Sequence, residues 1–198
     1  KRSIEKIMGI SMRLSMSVSL VFGASACFIP NILMRIFTSD QELIALGGSY
    51  LRILGVSYLF MGFSQVYLCV MRSIERVMFS AVVTAIALIS NILLNAVFIF
   101  GLIGAPALGI QGAAVATVIA RGLELAICIG DNFRKQKVHF RISEMFSPNR
   151  LLMRDFFRYS LPAFGNEVVW GIGFSMYSVI MGHLGSDIVA ANSIVVVA

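Results

Sequence analysis

Long apolar stretches separated by short polar breaks run through this chain, and each is long enough to cross a bilayer, which takes about 20 apolar residues. The pattern predicts spans over residues 10–37, 46–71, 78–103 and 112–129. A polar, basic segment follows over 131–155, then a fifth span over 156–181 and, from Ile188, the start of a sixth. Pro30 predicts a kink in the long first span, because proline removes a helical hydrogen bond. Gly104-Ala105-Pro106 predicts a tight turn between the third and fourth spans, and the residues from Gly182 to Asp187 predict a turn after the fifth. The basic segment is too polar to span, and an interfacial helix is expected within it over 149–157.

Composition agrees with the pattern. Hydrophobic residues make up 58% of the chain and charged residues 13%, with a mean hydropathy of +0.88. Soluble domains carry about 25% charged residues, so the expected fold class is an all-α membrane protein, a polytopic transmembrane helix bundle. The formal charge of +6 changes the picture only through its distribution. Lys1, Arg2 and Lys6 precede the first span, and Asp40 and Glu42 follow it. Arg72 and Arg76 follow the second span, an uncharged turn follows the third, and a run including Arg134, Lys135, Lys137, Arg141, Arg150, Arg154 and Arg158 follows the fourth. Basic loops stay cytoplasmic. The expected location is therefore a bacterial inner (plasma) membrane, crossed several times, with the basic loops inside. The basic residues serve topology and contact with the lipid bilayer, not nucleic acid.

Small residues recur on helix faces. Ser11, Ser15, Ser19, Gly23 and Cys27 form one stripe of the first span, and Gly112, Ala116 and Ala120 one of the fourth. Close helix packing in lipid uses such stripes, although the serines also suit a pore lining. Cys27, Cys69 and Cys128 all fall in apolar spans without metal-ligand spacing.

Polar residues within spans are the candidates for function. Asn91 and Asn95 stand one turn apart in the third span and suit either interhelical hydrogen bonds or a polar cavity, as does Gln65 in the second. Arg121 and Glu124 are spaced to form an ion pair on their own helix. Glu167 has no Lys or Arg within a turn of it. An acid placed so is the setting that a proton- or sodium-coupled carrier needs. Asn166, Trp170, Gly173 and Tyr177 form a stripe beside it. An acidic, amide and aromatic face suits a cationic amphipathic guest. Neither a catalytic triad nor a phosphate loop is legible, so no enzyme activity is expected.

The run Leu108-Gly109-Ile110-Gln111-Gly112-Ala113-Ala114-Val115-Ala116-Thr117 resembles the L-G-[IV]-x-G-A-A-x-A-T signature of the multidrug and toxic compound extrusion (MATE) family. Asn91 to Asn95 with Phe100-Gly101 is similar to the span that precedes it there. Leu161-Pro162 with Asn166, Glu167, Trp170 and Tyr177 resembles the opening of that family's second lobe, in the manner of a bacterial, clostridial-type subgroup. The likeness covers essentially the whole chain. It implies that the five spans are helices three to seven of a twelve-helix, two-lobe carrier, with helix eight beginning after them. Residues 1–130 would hold the last four helices of the N-terminal lobe. Residues 131–155 would be the cytoplasmic inter-lobe connector, and 156–198 the first helix and part of the second of the C-terminal lobe. With Lys1 in place of a starting Met and an apolar run at the other end, the expectation is an internal segment of a longer protein.

The implied activity is antiport: export of drugs or organic cations by alternating access, driven by sodium or proton influx, in a carrier that works as a monomer without a cofactor. Glu167 becomes the candidate for cation coupling, with a possible sodium ion near it. Asn166, Trp170, Tyr177, Asn91, Asn95 and Gln65 become candidates for the substrate cavity, and Gly112, Ala113, Ala116 and Thr117 the helix-packing signature. The competing readings are a flippase for lipid-linked oligosaccharide or peptidoglycan precursors from the same superfamily, and a membrane scaffold without transport.

Overall fold

Pro30 splits the first apolar stretch in two. In the computed structural model, helix α1 runs Arg2–Phe28 and helix α2 runs Pro30–Phe37, so the expected kink is a complete break. Ile29 still donates to the Ser25 carbonyl at 3.0 Å, but Pro30 has no N–H to continue the ladder and becomes the first residue of the next helix, where that loss is harmless. The structure describes the backbone of residues 2–101, 108–133 and 150–184, and the side chains of 6–101, 108–133 and 153–184.

Helix α3 runs Gln41–Ser73, α4 Val77–Phe100, α5 Ile110–Phe133 and α6 Arg150–Leu184. Asp40 caps α3: its Oδ1 accepts from the Glu42 N–H at 2.9 Å and its carbonyl accepts from Ile44 at 3.0 Å. At the other end of α3 the N–H groups of Glu75 and Arg76 reach back to the carbonyls of Arg72 and Met71, at 3.2 and 2.9 Å. This pair of bonds is a Schellman closure, and it puts Glu75 in the left-handed region at φ 65°. Helix α4 ends on Gly101 in the same region, whose N–H returns to Val97.

Among the described residues, four helices are long and apolar enough to cross a membrane: Lys6–Phe28 of α1, and α3, α4 and α5. The fifth expected span lies inside α6, where Arg154, Asp155, Arg158, Asn166 and Glu167 interrupt the apolar run. Two expectations are corrected here. Residues 150–157 are not a separate interfacial helix but the opening of α6, because nothing from Arg150 onward breaks the helical run, Pro162 included. Gly182 and His183 are not in a turn but in the last turn of α6, where His183 Nδ1 lies 2.9 Å from the Val179 carbonyl. The turn at Gly104-Ala105-Pro106 and the middle of the basic segment lie outside the described residues.

The chain divides into two compact units. One comprises Lys1–Ile29 and Ser49–Asn149, the other Pro30–Gly48 and Arg150–Ala198. In the second, Gly47 and Gly48 lie against Met34 and Asn31 of α2, and Gly182 of α6 lies against the Phe37 carbonyl.

In the first unit, small residues set the spacing of α1 and α3. A Cβ added to Gly23 would stand 3.0 Å from the Gly55 carbonyl, and Ser15 Oγ donates to the Gly62 carbonyl at 2.9 Å. The serine stripe therefore faces a neighbouring backbone. Tyr67, Leu68 and Met71 of α3, Val83 of α4 and Cys128 of α5 form a buried apolar cluster, with Phe63, Phe79 and Ile127 packed around it. Gly112 lets α5 meet α4: a Cβ there would come 2.5 Å from the Phe98 carbonyl, which already accepts from the Leu108 N–H at 3.0 Å.

Gly112→Ala is therefore expected to lower the thermal midpoint of the purified protein, because the obstacle is backbone and cannot rotate away. Gly130→Ala, on the same helix with nothing within 4 Å of the added carbon, is expected to be neutral or to gain up to about 1 kcal/mol from helix propensity. Unfolding of both variants in detergent checks the contrast.

Candidate functional site

The buried side of α5 reads Gly112, Ala116, Ala120, Glu124, Cys128 and Asp131. Steps of four and then three residues keep one face turned to α3 and α4. The stripe begins with the smallest side chains, where the backbones come closest, and ends with two acids.

Asp131, 7% exposed, is fully engaged. Arg76 Nη1 donates to its Oδ2 at 2.8 Å and Nη2 to its Oδ1 at 3.1 Å, the forked geometry that suits guanidinium to carboxylate. The Tyr67 hydroxyl donates to Oδ2 at 2.8 Å. The Schellman turn delivers Arg76 to this position, and its guanidinium also lies 4.7 Å from the centre of the Phe79 ring. Hydrogen bonds to Asp131 raise the Arg76 pKa above its ordinary value; partial burial works against them and the Asp131 charge adds to them. Sequence reasoning missed this triad. It read Arg76 as a topology residue and Asp131 as the start of the connector, whereas Asp131 lies in α5.

Glu124 is 1% exposed, and its Oε2 accepts from Arg121 Nη1 at 2.7 Å. This is the ion pair that the spacing predicts. The second oxygen, Oε1, is buried with no hydrogen-bond partner.

A third polar cluster sits further along α4 and α5. Asn91 Nδ2 donates to Thr117 Oγ1 at 3.2 Å, Asn95 Nδ2 to Asn91 Oδ1 at 3.1 Å, and Thr117 Oγ1 to the Ala113 carbonyl at 2.9 Å. Asn95 Oδ1 is buried and accepts nothing. The structure thus joins two residues expected in the cavity, Asn91 and Asn95, to Thr117, expected in the packing signature. Gly112 and Ala116 lie buried, while Ala113 and Gln65 are half-buried.

The candidates on α6 are placed differently. Asn166, Glu167, Trp170 and Tyr177 are exposed, and the Trp170 and Phe174 rings stack at 5.8 Å. Additional carbon atoms at Gly165, Gly171 and Gly173 would also meet open space.

Four apolar helices long enough to cross a bilayer, among the described residues, define a polytopic helical membrane protein. The MatE family model matches residues 1–97. A probable multidrug resistance protein NorM of Rhizobium meliloti is 32% identical over 93% of this chain and 40% of its own length. An uncharacterized transporter, YisQ, of Bacillus subtilis is 21% identical over 94% of the chain and 41% of its own length. Among solved structures, an inward-facing multidrug resistance MATE transporter superposes with a TM-score of 0.62 at 20% identity, covering 81% of this chain and 41% of that one. A transporter of the MOP superfamily from Pyrococcus furiosus superposes at 0.67 and 20% identity, covering 87% and 41%. These structural likenesses establish the fold. The chain belongs to the MATE family. It spans about two fifths of the length of the curated relatives named here.

Asp131→Asn is expected to cost about 3–5 kcal/mol, because it leaves the Arg76 charge without its counter-ion. Tyr67→Phe removes one of the three bonds and is expected to cost about 1 kcal/mol. Thermal unfolding of the single and double variants measures both losses and their coupling.

Proposed function

We propose that this chain is part of a secondary active antiporter that exports organic cations across a bacterial plasma membrane by alternating access, driven by sodium or proton influx, and working as a monomer. Helices α1 to α5 belong to the first lobe and α6 opens the second, with the segment between Phe133 and Arg150 as the cytoplasmic connector. The observation that carries this reading is the state of Glu167. It is an acid on a largely apolar helix, and it makes no hydrogen bond or ion pair among the described residues. An acid in that state needs a cation from elsewhere.

Its neighbours fit the same guest. Trp170 stands one turn from Glu167 and stacks on Phe174, giving an apolar, electron-rich surface for an organic cation. Asn166 adds an amide beside the acid. Within the first unit, Asn95 keeps an uncharged oxygen open beside Asn91 and Thr117. Relatives named as probable multidrug resistance proteins support the substrate class.

In a full-length carrier containing this segment, Glu167→Gln is expected to abolish export of a fluorescent organic cation, leaving the amount of protein in the membrane unchanged. Dye accumulation, with the sodium and proton gradients collapsed separately, tests the acid and identifies the ion. Export at wild-type rate by the variant would remove Glu167 from the mechanism. A single cysteine placed at Ser147 is expected to react with an impermeant reagent only from the cytoplasmic side.

A further inference from the structure

Two acids share the buried stripe of α5, and the bundle treats them differently. Asp131 has both oxygens bonded by Arg76, and one of them also by Tyr67. Glu124 is more deeply buried, yet only one of its oxygens is bonded. A buried acceptor without a partner costs free energy, and more so when it carries charge. Of the buried hydroxyls nearby, Ser64 donates to the Phe60 carbonyl and Tyr67 to Asp131, while Ser80 accepts from Arg72.

The counter-ion differs too. Arg121 is bound to Glu124 by a single contact, and its side chain is 35% exposed, so one end of the pair lies inside the bundle and the other at its surface. Such an arginine can leave without crossing the core, whereas the forked Arg76 is stacked on Phe79 and tied to Asp131 by two bonds. We propose that Glu124 is a proton-exchanging carboxyl inside the first lobe, and that Arg121 is its removable counter-ion. A proton from water adds to the carboxylate as the Arg121 contact breaks; Arg121 keeps its charge, and the bundle gains one positive charge. Release runs in reverse.

The surroundings favour a proton over a metal ion. One open oxygen satisfies a proton, while a hard cation collects several oxygen ligands. Among the described residues no group of three or more His, Cys, Asp or Glu side chains converges to hold a metal. The titratable groups that share this region are Arg121, Cys128 and Asp131 on α5, Tyr67 and Arg72 on α3 and Arg76 in the turn after it. Helix α4 has no charged residue from Val77 to Phe100, and α1, packed on α3, brings Lys6 and Arg13.

The proposal extends the transport reading but is tested apart from it. In a full-length carrier containing this segment, infrared difference spectra between acidic and alkaline buffer read protonated carboxyls directly. Glu124→Gln is expected to lose one neutral-carboxyl band that Glu167→Gln retains. Arg121→Met, which removes the one bonded counter-ion, is expected to enlarge that band. A spectrum unchanged by Glu124→Gln would overturn the proposal. If that variant does not fold, an Arg121→Met band no larger than wild type would overturn it as well. Loss of transport in Glu167→Gln with the Glu124 band intact bears on the transport reading alone.

Discussion

A carboxylate inside an apolar bundle has to be neutralised where it stands, and the Arg76–Asp131 pair meets that constraint for the first unit. Several features serve the pair. The Schellman closure of α3 turns the chain at Glu75 so that Arg76 points back along the bundle. Left-handed backbone costs a non-glycine residue roughly 1–2 kcal/mol, and the cost is accepted where the turn aims the guanidinium. Tyr67 belongs to the buried cluster and gives its hydroxyl to the same carboxylate, so apolar packing and the ion pair hold each other in place. With the far end of α5 fixed in this way, the glycine contact at Gly112 sets its near end.

The spans were legible because hydropathy and helix length are one-dimensional signals. Pro30 marks a real helix end because it acts on its own backbone, whereas the third span, expected to reach residue 103, already ends at Gly101. The Arg121–Glu124 pair was legible for a similar reason: three residues on a helix are neighbours. The triad was not. Arg76 and Asp131 are 55 positions apart and Tyr67 and Asp131 64, so only the folded bundle joins them. The available signal was the position of Asp131 just past the end of an apolar span, with an arginine next to another helix start. Charge counting assigned both to loops. The extent of α6 was also misread, because basic residues suggest a surface segment even when the helical run continues through them.

Thr117 shows why motif and chemistry should be kept apart. Its place in the L-G-I-Q-G-A-A-V-A-T run suggests packing, and Gly112 and Ala116 in the same run do lie buried against neighbours. Thr117 has a hydroxyl, and it gives that hydroxyl to its own helix while accepting from Asn91. One short motif thus supplies a close backbone approach and one polar contact on an adjoining face.

The units differ in how their polar groups are satisfied. In the first, Asp131, Thr117, Asn91 and Ser15 all have partners within the unit, and single oxygens stay open on Asn95 and Glu124. In the second, Asn166, Glu167 and Trp170 stand exposed on α6. Lipid offers no hydrogen bonds to such groups, so a membrane-embedded Glu167 requires protein, an ion or a guest against it. The two open oxygens make the same demand on a smaller scale. The well-paired Asp131, by contrast, makes no such demand and ties α5 to α3 and to the turn after it.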